Sequence, residues 1–392
     1  MKTSRVIFFG LALSVFAVSL VWGQKSQKPR LPAHAIKMTA KINLSENYRM
    51  YDSAIVILEE GVSSYPDDAE MHFLLGKVYS LKNNYQGMGE QFAIADSLKS
   101  KKDKWVNELD SLKTVKWQMV FNQGAKAFNE KNLDTALVRF TACTIIDCSN
   151  YKGFLYAGYA NTLKGQYDQA ISFLETGLKM NPDNVDLLKG YGDARFFSGK
   201  PNEALESYNK VLEKNPKDAE VLINVISIYS NAKDYDKAFA LSQKLIEADS
   251  TYKDGYFNMG TISLQKIIQI NVTLDSLQDT SGAYPKDEKS TQRVKELTNK
   301  KKVLLTTAQA SFEKVASLDT SDVEAQIYLA QVYQEEGNHD QALKILEPLA
   351  VKDSTNCSVL NQLAVIYAKE GIGDKAKVTW QKAQDCLNQQ KK

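Results

Sequence analysis

The chain has 392 residues, of which 43% are hydrophobic and 24% charged, with 49 Lys plus Arg against 47 Asp plus Glu. That composition excludes a mostly disordered chain, and a net charge of only +2 argues against an obligate nucleic-acid binder. Eight prolines and twenty glycines are too few for a turn-rich all-β chain, so helix is favoured from the outset.

Met1 to Arg5 is short and basic, Val6 to Trp22 is an uncharged apolar run, and Gly23 supplies a small residue after it. This is the pattern of a secretory signal peptide over 1–23, cut before Gln24. The alternative is an uncleaved anchor, because seventeen residues only just span a hydrocarbon core of ~30 Å. Contact with a membrane is therefore expected only if this segment is retained. No Cys lies near the cut, which argues against a lipid-modified N-terminus. Residues 24–34 carry Lys25, Lys28, Pro29, Arg30 and Pro32 and are expected to form a flexible tether. Export places the protein in the periplasm, on the envelope or outside the cell.

From there on the chain repeats. Ala136, Ala170, Ala204 and Ala238 step by 34, as do Ala308, Ala342 and Ala376, and Ala54 and Met88. Twelve residues before most of these stands a very small residue: Gly76, Gly124, Gly158, Gly192, Gly260, Ala330 or Ala364. Four residues after comes a large one: Leu58, Phe92, Phe140, Leu174, Tyr208, Phe312, Leu346 or Trp380. Pro66, Pro182 and Pro216 close three of the units. A proline cannot continue the preceding helix.

These slots resemble the tetratricopeptide repeat family, whose unit is a 34-residue helix–turn–helix, and the exported style is similar to bacterial envelope proteins. The resemblance covers 35–390 and implies an all-α fold, a right-handed α-α superhelix of about nine repeats. The small residue and the alanine stand where two helix backbones approach, and the large residue fills the space towards the next repeat. The repeats are expected to start near Ala35, Ala69, Trp117, Tyr151, Val185, Ala219, Lys253, Val323 and Cys357. The slots depart from the pattern at Ile42 and Ile226 (small), Met88 (alanine) and Ser242 (large). Pro348 is expected to kink or shorten its helix.

Two segments break the period. About fourteen residues are extra near 103–116, and a helical insertion lies near 265–301. In the second, Ile267, Ile268, Ile270 and Leu274 extend a first helix, Asp279 to Pro285 is a loop, and Glu288 to Leu305 is charged and helical. It reads either as a solvated elaboration or as a dedicated binding element.

No catalytic constellation is present. The three histidines, His34, His72 and His339, are far apart in the array, and no phosphate loop, nucleophile elbow or metal-binding motif occurs. The expectation is a non-enzyme without cofactor or metal. Four cysteines in an exported chain allow disulfides. Cys357 and Cys386 stand at ends that antiparallel helices bring together, and Cys143 and Cys148 can close only if their helix ends near Asp147.

The resemblance also implies where a partner binds, since first helices line a concave groove in this family. Projected onto this chain, the groove holds Phe73, Lys77, Phe121, Asn122, Phe128, Tyr156, Tyr159, Lys189, Phe196, Phe197, Asn224, Phe257, Asn258 and Tyr328. Exposed aromatics suit a protein partner, although the same residues also serve to pack adjacent repeats. Asn122, Asn224 and Asn258 fall on a slot that resembles a backbone-gripping clamp. Asp186, Asp193 and Asp254 do not match the family's cationic grip on a C-terminal carboxylate. The functional reading is a scaffold that binds protein peptides or helices and not nucleic acid. The alternatives are a carbohydrate or cell-wall module, or an architectural subunit of an envelope or secretion complex.

Overall fold

The computed structural model describes residues 30–278, 282–284 and 286–390. The expected signal peptide, the tether up to residue 29 and part of the loop 279–285 lie outside the described residues. Among those described there are eighteen helices and no strand. They pair in chain order: α1 (Ala33–Leu44) with α2 (Tyr51–Ser64), α3 (Ala69–Leu81) with α4 (Tyr85–Leu98), α5 (Val106–Asn129) with α6 (Leu133–Ile146), and α7 (Tyr151–Leu163) with α8 (Tyr167–Met180). Next come α9 (Val185–Phe197) with α10 (Pro201–Lys214), and α11 (Ala219–Asn231) with α12 (Tyr235–Ala248). The series ends with α13 (Lys253–Ser276) and α14 (Glu288–Leu318), α15 (Val323–Glu335) and α16 (His339–Lys352), and α17 (Cys357–Lys369) and α18 (Gly373–Gln390). These helices form two compact units. One holds the described residues up to Asn122 together with Ile145–Cys148, and the other holds Gln123–Thr144 and the residues from Ser149 on.

Seven first helices begin at the expected residue. The other two correct the sequence reading. Helix α1 starts at Ala33 and so takes in the last two residues of the expected tether, and α5 starts at Val106 because the extra segment is an N-terminal extension of that helix. Pro348 does not shorten α16, which keeps the fourteen residues of α8, α10 and α12. Its side is exposed, so the carbonyl deprived of a donor faces water.

Local chemistry sets the helix ends. Asp68, Asn150, Asn184, Asp218, Asp322 and Asn356 cap first helices by accepting a backbone N–H with their side chains. Five residues before the alanine slot the turn between paired helices needs a left-handed residue. Gly165, Gly199, Gly337 and Gly371 supply it at φ of 72–79°, while Arg49, Asn83, Lys131 and Lys233 do so at 48–60°.

The packing rule is a sixteen-residue step. A methyl group built on Gly192 would stand 2.5 Å from Tyr208 Cε1, and one on Gly260 would stand 2.6 Å from Phe312 Cζ, where the insertion lengthens the step to 52 residues. Gly76 with Phe92, Gly124 with Phe140, and Gly158 with Leu174 repeat the arrangement. The small slot of a first helix thus receives the large side chain of its own second helix. The same large residue also meets a side chain sixteen residues further on: Phe140 with Tyr156 at 5.2 Å, Phe312 with Tyr328 at 5.3 Å, and Tyr208 with Asn224. Among the described residues no first helix follows α18, and its large-slot Trp380 is 54% exposed.

The sixth repeat obeys the rule in reverse. Ile226, in the small slot, is 1% exposed, and Ser242, in the large slot, is fully buried with its hydroxyl donating to the Ala238 carbonyl. Bulk has moved from one helix to the other, which keeps the volume between them. Ser242→Leu alone is therefore expected to overpack by about 1–3 kcal/mol. Ile226→Gly alone should open a cavity, and the double variant should recover most of both losses in chemical denaturation. Additive losses would show that the two slots are uncoupled.

Cys357 and Cys386 form a disulfide with Cα atoms 5.6 Å apart, joining the start of α17 to the end of α18. Cys143 and Cys148 are not bridged; they are thiols, the first buried and the second exposed. Cys143 lies within α6, so its side chain is committed to the core, and burial pushes its thiol up to about 12. A disulfide closing a loop of 29 residues stabilises by about 3–4 kcal/mol on chain-entropy grounds. Contacts in a repeat array run only between neighbours. Cys357→Ser/Cys386→Ser should therefore speed hydrogen exchange in α17 and α18 and leave α9–α12 unchanged.

Candidate functional site

In the first compact unit, the inserted segment builds the site. Trp105, just before α5, stacks on Phe73 with ring centroids 5.1 Å apart. Glu108, one turn on, accepts from Lys77 at 2.5 Å. Asp96 at the end of α4 pairs with Lys99 and, at 3.5 Å, with Lys113. These contacts lay the start of α5 along the first-helix side of α1 and α3. A hollow of about 460 Å³ results, lined by Lys41, Leu44, Ser45, Glu70, Phe73, Leu74, Lys77, Lys104, Trp105 and Glu108. It adjoins a second hollow of about 530 Å³ through Lys41, Ser45 and Glu70, where Met38, Ile42 and Tyr48 are 65%, 47% and 61% exposed. Its charges are locally balanced. Lys37 bridges Asp68 and Glu70 at 3.0 and 3.1 Å, and Lys41 reaches Glu70 at 2.6 Å. Burial opposes ionisation of Glu70, but its hydrogen bonds with the two lysines outweigh that and hold its pKa below the ordinary value.

The predicted residues of this unit divide accordingly. Phe73 is only 2% exposed and acts as floor, and Lys77 is tied to Glu108. Phe121 is half-buried and stacks on Trp117 at 4.7 Å, and exposed Asn122 accepts from Gln118. Trp105 was missed. The signal lies in the period itself, since a Trp within a segment the repeat does not require fills none of the repeat's own slots.

In the second compact unit, the expected row of open aromatics is mostly packing. Phe197 is 54% exposed, whereas Phe128, Tyr156, Tyr159, Phe196, Phe257 and Tyr328 are half-buried. Phe128 packs edge-on to Phe140, Tyr156 lies against Phe140 and Tyr159, and Phe257 meets both Phe312 and Tyr328. Each covers a large-slot residue or its neighbour, which is why they turn inwards. Asn258 is half-buried.

Asn224 is engaged rather than open. Its amide donates to Asp193 Oδ1 at 3.1 Å, and the Tyr208 hydroxyl donates to the same oxygen at 2.7 Å. Burial raises the Asp193 pKa, against the lowering effect of the Tyr208 bond. Burial likewise raises Tyr159, whose hydroxyl donates to the Asp186 carbonyl. Lys189 bridges Asp218 at 3.4 Å and Glu220 at 2.6 Å, and Lys253 bridges Asp319 and Asp322 at 2.9 and 3.0 Å. Asp218 and Asp322 are also helix caps. The lysines thus tie one repeat to the cap of the next, as Lys37 does with Asp68. No group of three His, Cys, Asp or Glu suited to a metal ion occurs among the described residues, and no helix among them is long and apolar enough to cross a membrane.

A family model described as tetratricopeptide repeat matches residues 162–223 and 305–364. Over those two stretches the helix pairs match the tetratricopeptide repeat. The small glutamine-rich tetratricopeptide repeat-containing protein 2 of Saccharomyces cerevisiae is 31% identical over 91 residues, 23% of this chain and 26% of that protein. The Hsp70-Hsp90 organizing protein of Triticum aestivum is 30% identical over 104 residues, 26% of this chain and 18% of that protein. The chain therefore spans about a quarter or less of these relatives. A solved tetratricopeptide repeat protein of Parabacteroides merdae is 14% identical with a TM-score of 0.46, covering 69% of this chain and 93% of that one.

Asp193 yields a pH prediction. Its folded-state pKa lies above the unfolded value of about 3.9, so folding binds a proton between the two. The contribution favours folding below the unfolded pKa and is lost as pH rises through the folded one. Tyr208→Phe removes a hydrogen bond to the carboxylate and should raise that pKa further. Relative to wild type, its denaturation midpoint should be most depressed at pH 7 and recover towards pH 4. A pH-independent difference would mean that the hydroxyl does not act through Asp193.

Proposed function

We propose that this chain is a non-catalytic protein-interaction scaffold whose best-formed docking site is the Trp105 hollow of the first compact unit. The observation that carries this is the origin of its walls. Trp105, Lys104 and Glu108 belong to the segment by which the chain exceeds its own period, yet they line a groove on the first-helix side. An insertion that the repeat does not require, and that packs on α3 while enclosing an open hollow beside it, is a binding feature by the usual physics of recognition. The Hsp70-Hsp90 organizing protein, by its name, is itself an assembler of proteins, which supports the reading. We further propose an exported, envelope-associated protein, on the strength of residues 1–23 and the disulfide between Cys357 and Cys386.

A displayed random-peptide library selected on the purified protein tests the site. Enriched peptides should lose affinity for Trp105→Ala by about 2 kcal/mol, roughly thirty-fold, while far-ultraviolet circular dichroism stays unchanged. Peptides that bind the variant equally well would remove the hollow from the proposal. A glycan array that gives ligands where the peptide library gives none would replace the scaffold by a carbohydrate module. Mature protein beginning at Gln24 in an envelope fraction is expected; an intact N-terminus in the cytosol would sink the location.

A further inference from the structure

The second insertion has a different character from the first. The extended ends of α13 and α14 pack on each other through Ile267, Ile270, Leu274, Leu297, Leu304 and Leu305, continuous with the core around Phe312. Their root is braced on both sides, by Lys266 on Asp236 at 2.5 Å and by Lys301 on Glu335 at 3.2 Å. The result is a firmly mounted helical arm rather than a loose loop.

Its charge stands apart from the rest of the chain. Residues 286–302 hold seven Lys or Arg and three Asp or Glu, a net of +4. Residues 30–390 of the sequence leave out Lys2, Arg5, Lys25, Lys28, Lys391 and Lys392, so they carry 43 basic and 47 acidic residues. Taking away residues 286–302 alone leaves 36 basic against 44 acidic, a net of −8. Among the described residues Lys286, Lys289, Lys295 and Lys302 make no ion pair and are exposed, so the fold does not use their charge.

We propose that the arm of one copy docks on the acid-rich remainder of a second copy, so that the protein self-associates in a salt-dependent way. Three observations favour this occupant. The complementary charge is present on the same chain, and the total of +2 leaves almost no long-range self-repulsion. Nucleic acid or an anionic bilayer extends beyond an arm and would meet the −8 of the remainder. Val272 and Val303, each 65% exposed on the arm, add apolar surface that a protein face can bury. The contact joins unlike surfaces, so it builds rings or open chains rather than two-fold dimers.

Sedimentation velocity of the purified protein at increasing concentration and at 50, 150 and 500 mM NaCl provides the test. Association is expected at low salt and should weaken at least about ten-fold by the highest. Lys289→Glu/Arg293→Glu/Lys295→Glu should abolish it. Lys179→Glu/Lys210→Glu/Lys244→Glu makes the same change in net charge on exposed second-helix positions and should leave it intact. A monomer at every salt, association that strengthens with salt, or equal loss in both triple variants would each overturn the proposal. So would a monomer that binds phosphatidylglycerol vesicles or a 20-base-pair DNA through the arm. Peptide binding at the Trp105 hollow is read separately, so either proposal can fail alone.

Discussion

The fold hangs on one steric pairing, a large side chain of a second helix seated on a small residue of the first, glycine in five of the nine pairs. Gly192 and Gly260 leave no room for even a methyl group beside Tyr208 and Phe312. The pairing fixes how closely two helices approach, and the same large residue then reaches sixteen residues on, into the next repeat. Spacing within a repeat and stacking between repeats are thus set by one side chain. This is why the sixth repeat can exchange bulk between Ile226 and Ser242 without breaking the series: what is fixed is the shared volume, not the identity at either slot.

The same step decides what is left for recognition. A residue sixteen beyond a large slot lies on the first-helix side, yet it is drawn inward to cover its predecessor. Tyr156, Asn224 and Tyr328 all do this. The first-helix side of the second compact unit is therefore rich in aromatics by sequence but mostly closed by structure. Openness arises where the period is interrupted. In the first compact unit, the extra segment brings Trp105 over Phe73, and the groove exists because the insertion does not fit the repeat.

The repeat architecture was legible because three slots recur together, and each carries a steric demand that few residue types meet. The left-handed turn slot was not legible, since glycine shares it with Arg49, Asn83, Lys131 and Lys233. In those cases the turn geometry is imposed by the helices on either side. Exposure of the aromatics was not legible either. It depends on which residue stands sixteen positions away in the neighbouring repeat, and on whether that residue is large. Asn224 shows the limit most clearly. Its slot suggested a clamp for a ligand backbone, but Asp193 and Tyr208 hold its amide. An Asp where the pattern needs another residue type changes the neighbour's role rather than its own.

The two insertions show how a repeat chain acquires specificity without altering its repeats. Each repeat is constrained by its neighbours, so a change within it propagates through the sixteen-residue contacts. An added segment is free of that constraint as long as it satisfies its own apolar residues. The segment before Trp117 does so by lying against α3 through Trp105 and Glu108, with Leu109 fully buried. The hairpin of α13 and α14 does so by zipping its leucines and isoleucines to each other. Charge can then accumulate on the hairpin because no neighbouring repeat has to desolvate it. The near-zero charge of the whole chain is therefore not the sum of neutral repeats. It arises from a cationic arm set against an acidic array, a polarity that composition alone conceals.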